Sequence, residues 1–433
     1  MREDFLHYLW KTRHFNQQNL TITTGESLFI ADTGTYNRDA GPDFQQARIR
    51  IGDLLWIGNI EMHLRASDWF RHGHHGDPAY QNVILHVVYE ADENISLSPK
   101  TEHSSATYLP CLELKNRIAP HLFEKYWGML QTTAWIPCQM HFSAVSTFTR
   151  AACLDPLVIE RLEQKVLRIE QRLEANQHDW ETTFYQKMAR SFGAKVNAEP
   201  MELLAQSLPH TLLAKYKDSL FQIEALLFGQ AGWLENQFLD AYNVALAKEY
   251  AFLKQKHGLT PIQTTGIAWK FSKIRPANFP TIRLAQFAGL VHQSVHLFSK
   301  IIAKETITEV VELLESPTSD YWTTHYTFDT PSIERPKPFG KKAIQLIVLN
   351  TVIPFLFLYG KTKGLPALKN RALDWLETLP PEQNHIIEQW KALGIVAQSG
   401  AESQALLQLK NEYCDHKRCL DCKIGHSILQ IAS

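Results

Sequence analysis

The chain opens with MREDFLHYLW, in which Phe5, Leu6, Leu9 and Trp10 recur at the three- and four-residue spacing of a helix with one apolar face. ESLFIAD then reads as a short strand. ARIRI and LLWIGNIEMHL alternate apolar and polar positions and meet at Gly52-Asp53, a pair suited to a tight hairpin turn because glycine accepts positive φ without a steric penalty. NVILHVVYEA is apolar on both faces, as an interior strand would be. From about residue 140 the periodicity becomes helical, in VIERLEQKVLRIEQRLEANQ, IEALLFGQAGWL, QFLDAYNVALAKEYAFLKQKHG and TIRLAQFAGLVHQSVHLFSKIIA. Proline-rich stretches near 275–280, 331–338 and 380 read as loops between helices. The pattern predicts an α+β protein: an α/β domain over residues 1–135, then a mainly α-helical domain over 136–433 ending in a cysteine cluster.

One segment complicates this picture. AIQLIVLNTVIPFLFLYG, residues 343–360, approaches the length of a bilayer span, but Asn350, Thr351 and Pro354 interrupt it. A buried helix with a break is expected there, and no membrane partner. The N-terminus carries acids at once and lacks the basic start and apolar run of a signal peptide. Six cysteines in 433 residues do not make a disulfide framework. A reducing, cytoplasmic setting is the expectation. The net charge of −1 sets up no global positive field, so a nucleic-acid site would have to be a local patch.

Chemistry concentrates first around GPDFQQARIRIGDLLWIGNIEMH. On a strand, Ile60, Met62 and Leu64 face one way and Asn59, Glu61 and His63 the other. Asp43, set just before the preceding strand by a Gly-Pro turn, reaches the same edge. Two carboxylates brought together suit Mg²⁺ or Mn²⁺, which take oxygen ligands. A rival ligand set follows in SDWFRHGHHGDPAYQNVILHVV, where His72, His74, His75 and His86 cluster with Asp68 and Asp77. With His63 these imidazoles and carboxylates could form a Zn²⁺ or Mn²⁺ centre.

Two further groups stand out. Cys414, Cys419 and Cys422 form C-x4-C-x2-C, three thiolates suited to zinc or an iron–sulfur cluster. A closed site needs a fourth ligand, and His416, His426 and the distant Cys138 are the candidates. In WKFSKIRPANFPTIRLAQFA, the cations Lys270, Lys273, Arg275 and Arg283 surround Trp269 and Phe279, a combination that suits a nucleic-acid backbone with unpaired bases.

Pro42-Asp43 followed by Glu61-x-His63 on a hairpin resembles the PD-(D/E)XK nuclease superfamily over about 100 residues. The resemblance implies that the acidic pair Asp43 and Glu61 binds metal, that His63 stands where a water-activating lysine is usual, and that Glu3 matches an additional acid that some members place on the preceding helix. Imidazole titrates near 6.5 and does not supply lysine's permanent charge, so this departure leaves the role of His63 open. The stretches GPDF, GNIEMH, SDWFRHGHHGDPAYQNVILHVV, EALLFGQAGWL, RPANFPTIRLAQFA and YCDHKRCLDCKIG resemble an uncharacterised bacterial family, the domain of unknown function numbered 2851. That resemblance implies no activity. The functional expectation is Mg²⁺- or Mn²⁺-dependent hydrolysis of phosphodiester bonds in DNA or RNA; the alternative is a noncatalytic nucleic-acid-binding or assembly protein that retains the fold.

Overall fold

A computed structural model of the chain describes residues 1–97, 108–262, 268–294 and 296–431. It divides into two compact units, one formed by Met1–Cys153 with Leu409–Ser433 and the other by Leu154–Gln408. The terminal segment that carries Cys414, Cys419 and Cys422 is therefore part of the first unit, not of the helices that precede it in sequence.

In the first unit, helix α1 (Glu3–Thr12) buries Phe5, Leu6, Leu9 and Trp10, as their spacing predicts, together with Tyr8. Glu3 and Asp4 occupy its first turn, where unpaired backbone N–H groups favour negative charge. The sheet contains β1 (Leu28–Asp32), β2 (Thr35–Tyr36), β3 (Phe44–Ile51), β4 (Leu54–Arg65), β5 (Val83–Glu90) and β6 (Cys111–Glu113). The strand order is β1-β3-β4-β5-β6, with β2 also paired to β3. Pairing is antiparallel from β1 to β4 and parallel from β4 to β6.

The hairpin closes as the sequence predicts. Ile51 pairs with Leu54, and Gly52 between them has φ of 56°, in the left-handed region. Further along β4, Gly58 lets the start of β5 approach closely: a Cβ at this position would lie 2.5 Å from Cγ2 of Ile84 and 2.8 Å from the carbonyl oxygen of Asn82.

The parallel pairing of β4 with β5 has the largest consequence for the site. Parallel neighbours cannot be joined by a tight turn, so the chain from 66 to 82 must cross back over the sheet. It does so through the single turn α2 (Asp68–Arg71) and two short 3₁₀ turns, His74–Gly76 and Pro78–Tyr80. The polar side of β4 is accordingly covered: Glu61 is 5% exposed and His63 only 1%.

The second unit is mainly helical, with one short antiparallel hairpin, His325–Thr327 and Thr330–Pro331. The periodic segments form helices at Leu220–Gln230, Ala241–His257, Pro280–Gln293 and Leu297–Ile302, while VIERLEQKVLRIEQRLEANQ lies largely within α4, introduced here as Thr147–Ala175 with α3 being Pro120–Gln131. The apolar segment runs Lys341–Thr362, is long and apolar enough to cross a bilayer, and is mostly buried. Its expected break is a π-helical turn, Val348–Val352, just before Pro354. Proline lacks the N–H that would continue the regular ladder, and the wider turn accommodates it.

Candidate functional site

The site begins where β3 enters the sheet. Phe44 pairs with Ile60, which sets Asp43 beside Glu61. The backbone N–H of Asp43 donates to Oε2 of Glu61 at 3.2 Å, and the N–H of Met62 donates to Oδ2 of Asp43 at 3.0 Å. Each carboxylate is thus held by the other's strand. From α1, Nε2 of His7 lies 3.3 Å from Oδ2 of Asp43. Glu3, one helical turn earlier, lies within electrostatic reach of Asp43 and His72, and burial raises its pKa.

The crossover then lays its histidines over β4. Oε1 of Glu61 is 3.5 Å from Nε2 of His63 and 3.2 Å from Nε2 of His74. Nε2 of His63 is 3.1 Å from Nδ1 of His72. One nitrogen from each of His63, His72 and His74 can be chosen so that all three lie within 4.8 Å of one another. Four donors held at about 2.1 Å around one tetrahedral ion would be about 3.4 Å apart. The separations of Glu61 from His63 and His74 and of His63 from His72, 3.1 to 3.5 Å, are close to that value.

The surroundings set the orientation and protonation of these groups. His63 turns its other nitrogen, Nδ1, to Nε2 of His86 at 2.8 Å, and His86 is fully buried on β5. Such a contact fixes ring orientation and tautomer. Burial, reinforced by the neighbouring imidazoles, lowers the pKa of His63 to about 2, and burial lowers that of His86 to about 3. Both rings are therefore neutral at ordinary pH, with a lone pair to offer. Burial pushes Glu61 up to about 9, and the Asp43 carboxylate adds to the shift. A buried carboxyl that resists ionisation beside neutral imidazoles is a place where a cation would be stabilised. The ring of Tyr80 stacks on His74 with centroids 3.8 Å apart. His72 remains exposed, which leaves the site open on that side.

Asp43, Glu61 and His63 are thus brought together, and His72 and His74 of the rival ligand set lie beside them. Other members of the histidine-rich segment have different partners. Asp68 accepts from the N–H of Arg65 at 3.2 Å and pairs with Arg71 at 2.6 Å. Asp77 accepts from the N–H of Ala79 and caps a 3₁₀ turn, and His75 packs on Phe70. His7 was not singled out from the sequence. Its signal was its position four residues after Glu3, on the same side of α1.

Beside His7 lies a cleft of about 410 Å³, lined among others by Arg2, Lys11, Tyr36, Arg38 and Lys417, by Asp4, and by Arg418 paired with Asp421 at 3.1 Å. In the second unit, Lys270, Lys273 and Arg275 are exposed. Arg283 is turned inward. Its guanidinium donates to Gln286 at 3.1 Å and Asn278 at 2.6 Å, lies 5.0 Å from the ring centre of Phe339, and has its pKa lowered to about 10 by burial.

Residues 3–385 match the family described as protein of unknown function (DUF2851). The chain belongs to this family. The DUF2851 match includes Asp43, Glu61 and all the histidines of the site, and it ends before Cys414. Neither a curated protein nor a solved structure matches the chain.

Proposed function

We propose that this DUF2851 protein is a metal-dependent phosphodiesterase acting on DNA or RNA, with its centre at Glu61, His63, His72 and His74 and with Asp43 at its edge. The observation that carries the reading is the cluster of His63, His72 and His74 nitrogens within 4.8 Å of one another, with Glu61 3.2 Å from His74 and 3.5 Å from His63 and the site open to solvent at His72. A divalent ion held there would polarise a phosphoryl oxygen and acidify a bound water. The predominance of nitrogen donors favours Mn²⁺ or Zn²⁺ over Mg²⁺, which prefers oxygen and keeps its waters.

The chain's own groups divide the remaining work. His86 orients His63, and the backbone N–H groups of Asp43 and Met62 fix the Glu61 and Asp43 carboxylates. Asp43, half-buried and beside His7, can accept a proton from an attacking water and pass it to that imidazole. This arrangement differs from the motif of the PD-(D/E)XK superfamily in one respect: His63 has the burial and neighbours of a ligand, whereas the motif would make it a water-activating base. The cations and Tyr36 of the adjacent cleft supply contacts for phosphates and an unpaired base.

The test is cleavage of single-stranded DNA, duplex DNA and RNA by the metal-stripped chain after addition of Mn²⁺, Zn²⁺ or Mg²⁺. Metal-dependent cleavage abolished by His74→Ala supports the reading. Binding of nucleic acid without cleavage under any of these ions would favour the noncatalytic alternative, which Arg2, Lys11 and Arg38 of the cleft also support.

A further inference from the structure

Asp4, His7, Tyr8 and Lys11 recur at three- and four-residue intervals on α1, and the side of the helix they share lines the cleft beside His7. Tyr36, at the end of β2, and Arg38 just after it add to the lining, as do residues of the terminal segment between 416 and 426. All of them belong to the first unit. His7 also links the cleft to the acidic pair: its Nδ1 lies 3.4 Å from the Tyr36 hydroxyl and its Nε2 3.3 Å from Oδ2 of Asp43. A ligand in the cleft is therefore one side chain away from Asp43.

The chain as a whole has a net charge of −1, yet cations outnumber acids here. Arg418 is neutralised by Asp421 at 3.1 Å, and Lys417 donates to the carbonyl oxygens of Leu130 and Thr132. Arg2, Lys11 and Arg38 are exposed and pair with no carboxylate among the described residues. Lys11 approaches only the ring of Tyr36, at 5.7 Å. The other acid of the cleft, Asp4, accepts from the Tyr126 hydroxyl at 3.2 Å. A buried hydroxyl supplies a second, independent observation. Tyr8 is 4% exposed and lines the cleft, and its OH makes no hydrogen bond. Its ring packs on His14 and His426, with centroids 5.8 and 5.0 Å away. Burial raises its pKa to about 12, so it keeps a proton to donate. A buried donor without a partner is costly, and an acceptor from outside the chain would satisfy it.

We infer that the cleft holds the terminal phosphomonoester of a nucleic-acid strand, with Arg2, Lys11 and Arg38 neutralising it and the Tyr8 hydroxyl donating to one of its oxygens. A phosphomonoester carries about −1.5 to −2 charges at pH 7 and three strong acceptor oxygens, more than an internal phosphodiester offers. Three unpaired cations and an unsatisfied donor match the phosphomonoester better. The size agrees. A volume of about 410 Å³ is that of a pocket for a small group, whereas proteins that bind a strand along its length use grooves for about 4 to 16 nucleotides. A free nucleotide shares this chemistry, but the link through His7 to Asp43 favours a strand end, whose following linkages can reach the acidic pair. The consequence, cleavage from a strand end, rests on the phosphodiesterase reading; the phosphate site itself does not.

The test is fluorescence anisotropy of the full-length chain without added divalent ion, using one single-stranded oligonucleotide with a 5′-phosphate, a 3′-phosphate or neither. One phosphorylated form should bind about tenfold or more tightly than the unphosphorylated strand, the scale of hydrogen bonds to a charged group. Lys11→Ala combined with Arg38→Ala should abolish that preference, and Tyr8→Phe should reduce it with an unchanged circular dichroism spectrum. Equal affinity for all three strands would overturn the inference, as would an undiminished preference in the double variant. Competition separates the sources of phosphate: the phosphorylated strand should displace the probe at lower concentration than a mononucleotide or inorganic phosphate, and a mononucleotide that matches it would overturn the assignment to a strand end. Under a metal that supports cleavage, a linear phosphorylated strand should be cut faster than a circular strand of the same sequence. Equal rates would overturn end recognition and leave the phosphodiesterase reading intact. Phosphate-selective binding with no cleavage under any ion would support this inference and sink that reading.

Discussion

Oε1 of Glu61 lies 3.2 Å from Nε2 of His74, although one side chain projects from the middle of β4 and the other from the loop that leaves it. The parallel pairing of β4 with β5 forces that loop back over the sheet, and the carboxylate and the imidazole meet as a result. The site is therefore a product of strand order as much as of residue type. Its predicted behaviour follows from which groups are ligands and which support them.

His63 behaves as a ligand in this account. His63→Ala should lose metal binding and cleavage together, and His63→Lys should restore neither, because an ammonium brings a positive charge to the ion and no lone pair. Parallel metal titrations and cleavage assays decide the matter. A His63→Lys protein that binds metal and cleaves would return His63 to the role of the superfamily's lysine.

His86 should matter without touching the ion. Its Nε2 is 2.8 Å from His63, and loss of a group that orients a metal-bound histidine costs about 10- to 100-fold in metal affinity. His86→Ala should show a loss in that range by calorimetric titration while retaining the fold by circular dichroism. Unchanged affinity would mean that His63 is oriented by something else.

Asp43 should separate binding from turnover. Its carboxylate accepts from the Met62 N–H at 3.0 Å and lies 3.3 Å from Nε2 of His7. Asp43→Asn keeps the hydrogen-bond acceptor and removes the base, so metal affinity should change little while cleavage falls by roughly 10²- to 10⁴-fold, the usual contribution of a positioned base. Loss of metal in Asp43→Asn would make it a ligand.

A buried acid in the second unit predicts a pH dependence of stability. Glu224 is fully buried, accepts from Tyr242 and from Ser319 at 2.9 Å, and burial raises its pKa from 4.5 to about 7 despite those bonds. Between these values the folded chain binds a proton that the unfolded chain does not. Stability contributed by this group is therefore complete below about pH 4.5 and is lost as the pH rises toward 7, by on the order of 3 kcal/mol. Denaturant melts of wild type and Glu224→Gln between pH 5 and 8 should show the wild type losing ground to the variant as pH rises. Parallel curves would show that Glu224 ionises in the fold as it does in the unfolded chain.

Much of this arrangement was legible in the sequence. The apolar face of α1, the Gly52-Asp53 hairpin and the interior character of β5 all follow from local rules of spacing and turn chemistry, and so does the break before Pro354. Asp43, Glu61 and His63 were found together for the same reason, since a hairpin fixes its own register. The histidines of the crossover were visible as a cluster, but their union with Glu61 was not. It depends on β5 joining β4 in parallel, a pairing that no local pattern specifies. Cys153 and Cys422 illustrate the same limit, because the 4.0 Å approach of their sulfurs is set by how distant segments pack. Arg283 shows the converse: a cation among aromatics looks the same in sequence whether its partner is a phosphate or, as here, the side chains of Asn278, Gln286 and Phe339.

The central claim is that Glu61, His63, His72 and His74 bind one transition-metal ion. Electron paramagnetic resonance of the metal-stripped chain titrated with Mn²⁺ tests it most directly, since Mn²⁺ accepts mixed nitrogen and oxygen donors and competes poorly for thiolates. The account predicts one tightly bound Mn²⁺ per chain with coupling to histidine nitrogen, lost in both Glu61→Gln and His74→Ala. Mn²⁺ that stays free in the wild type, or that binds equally well in the two variants, would contradict it.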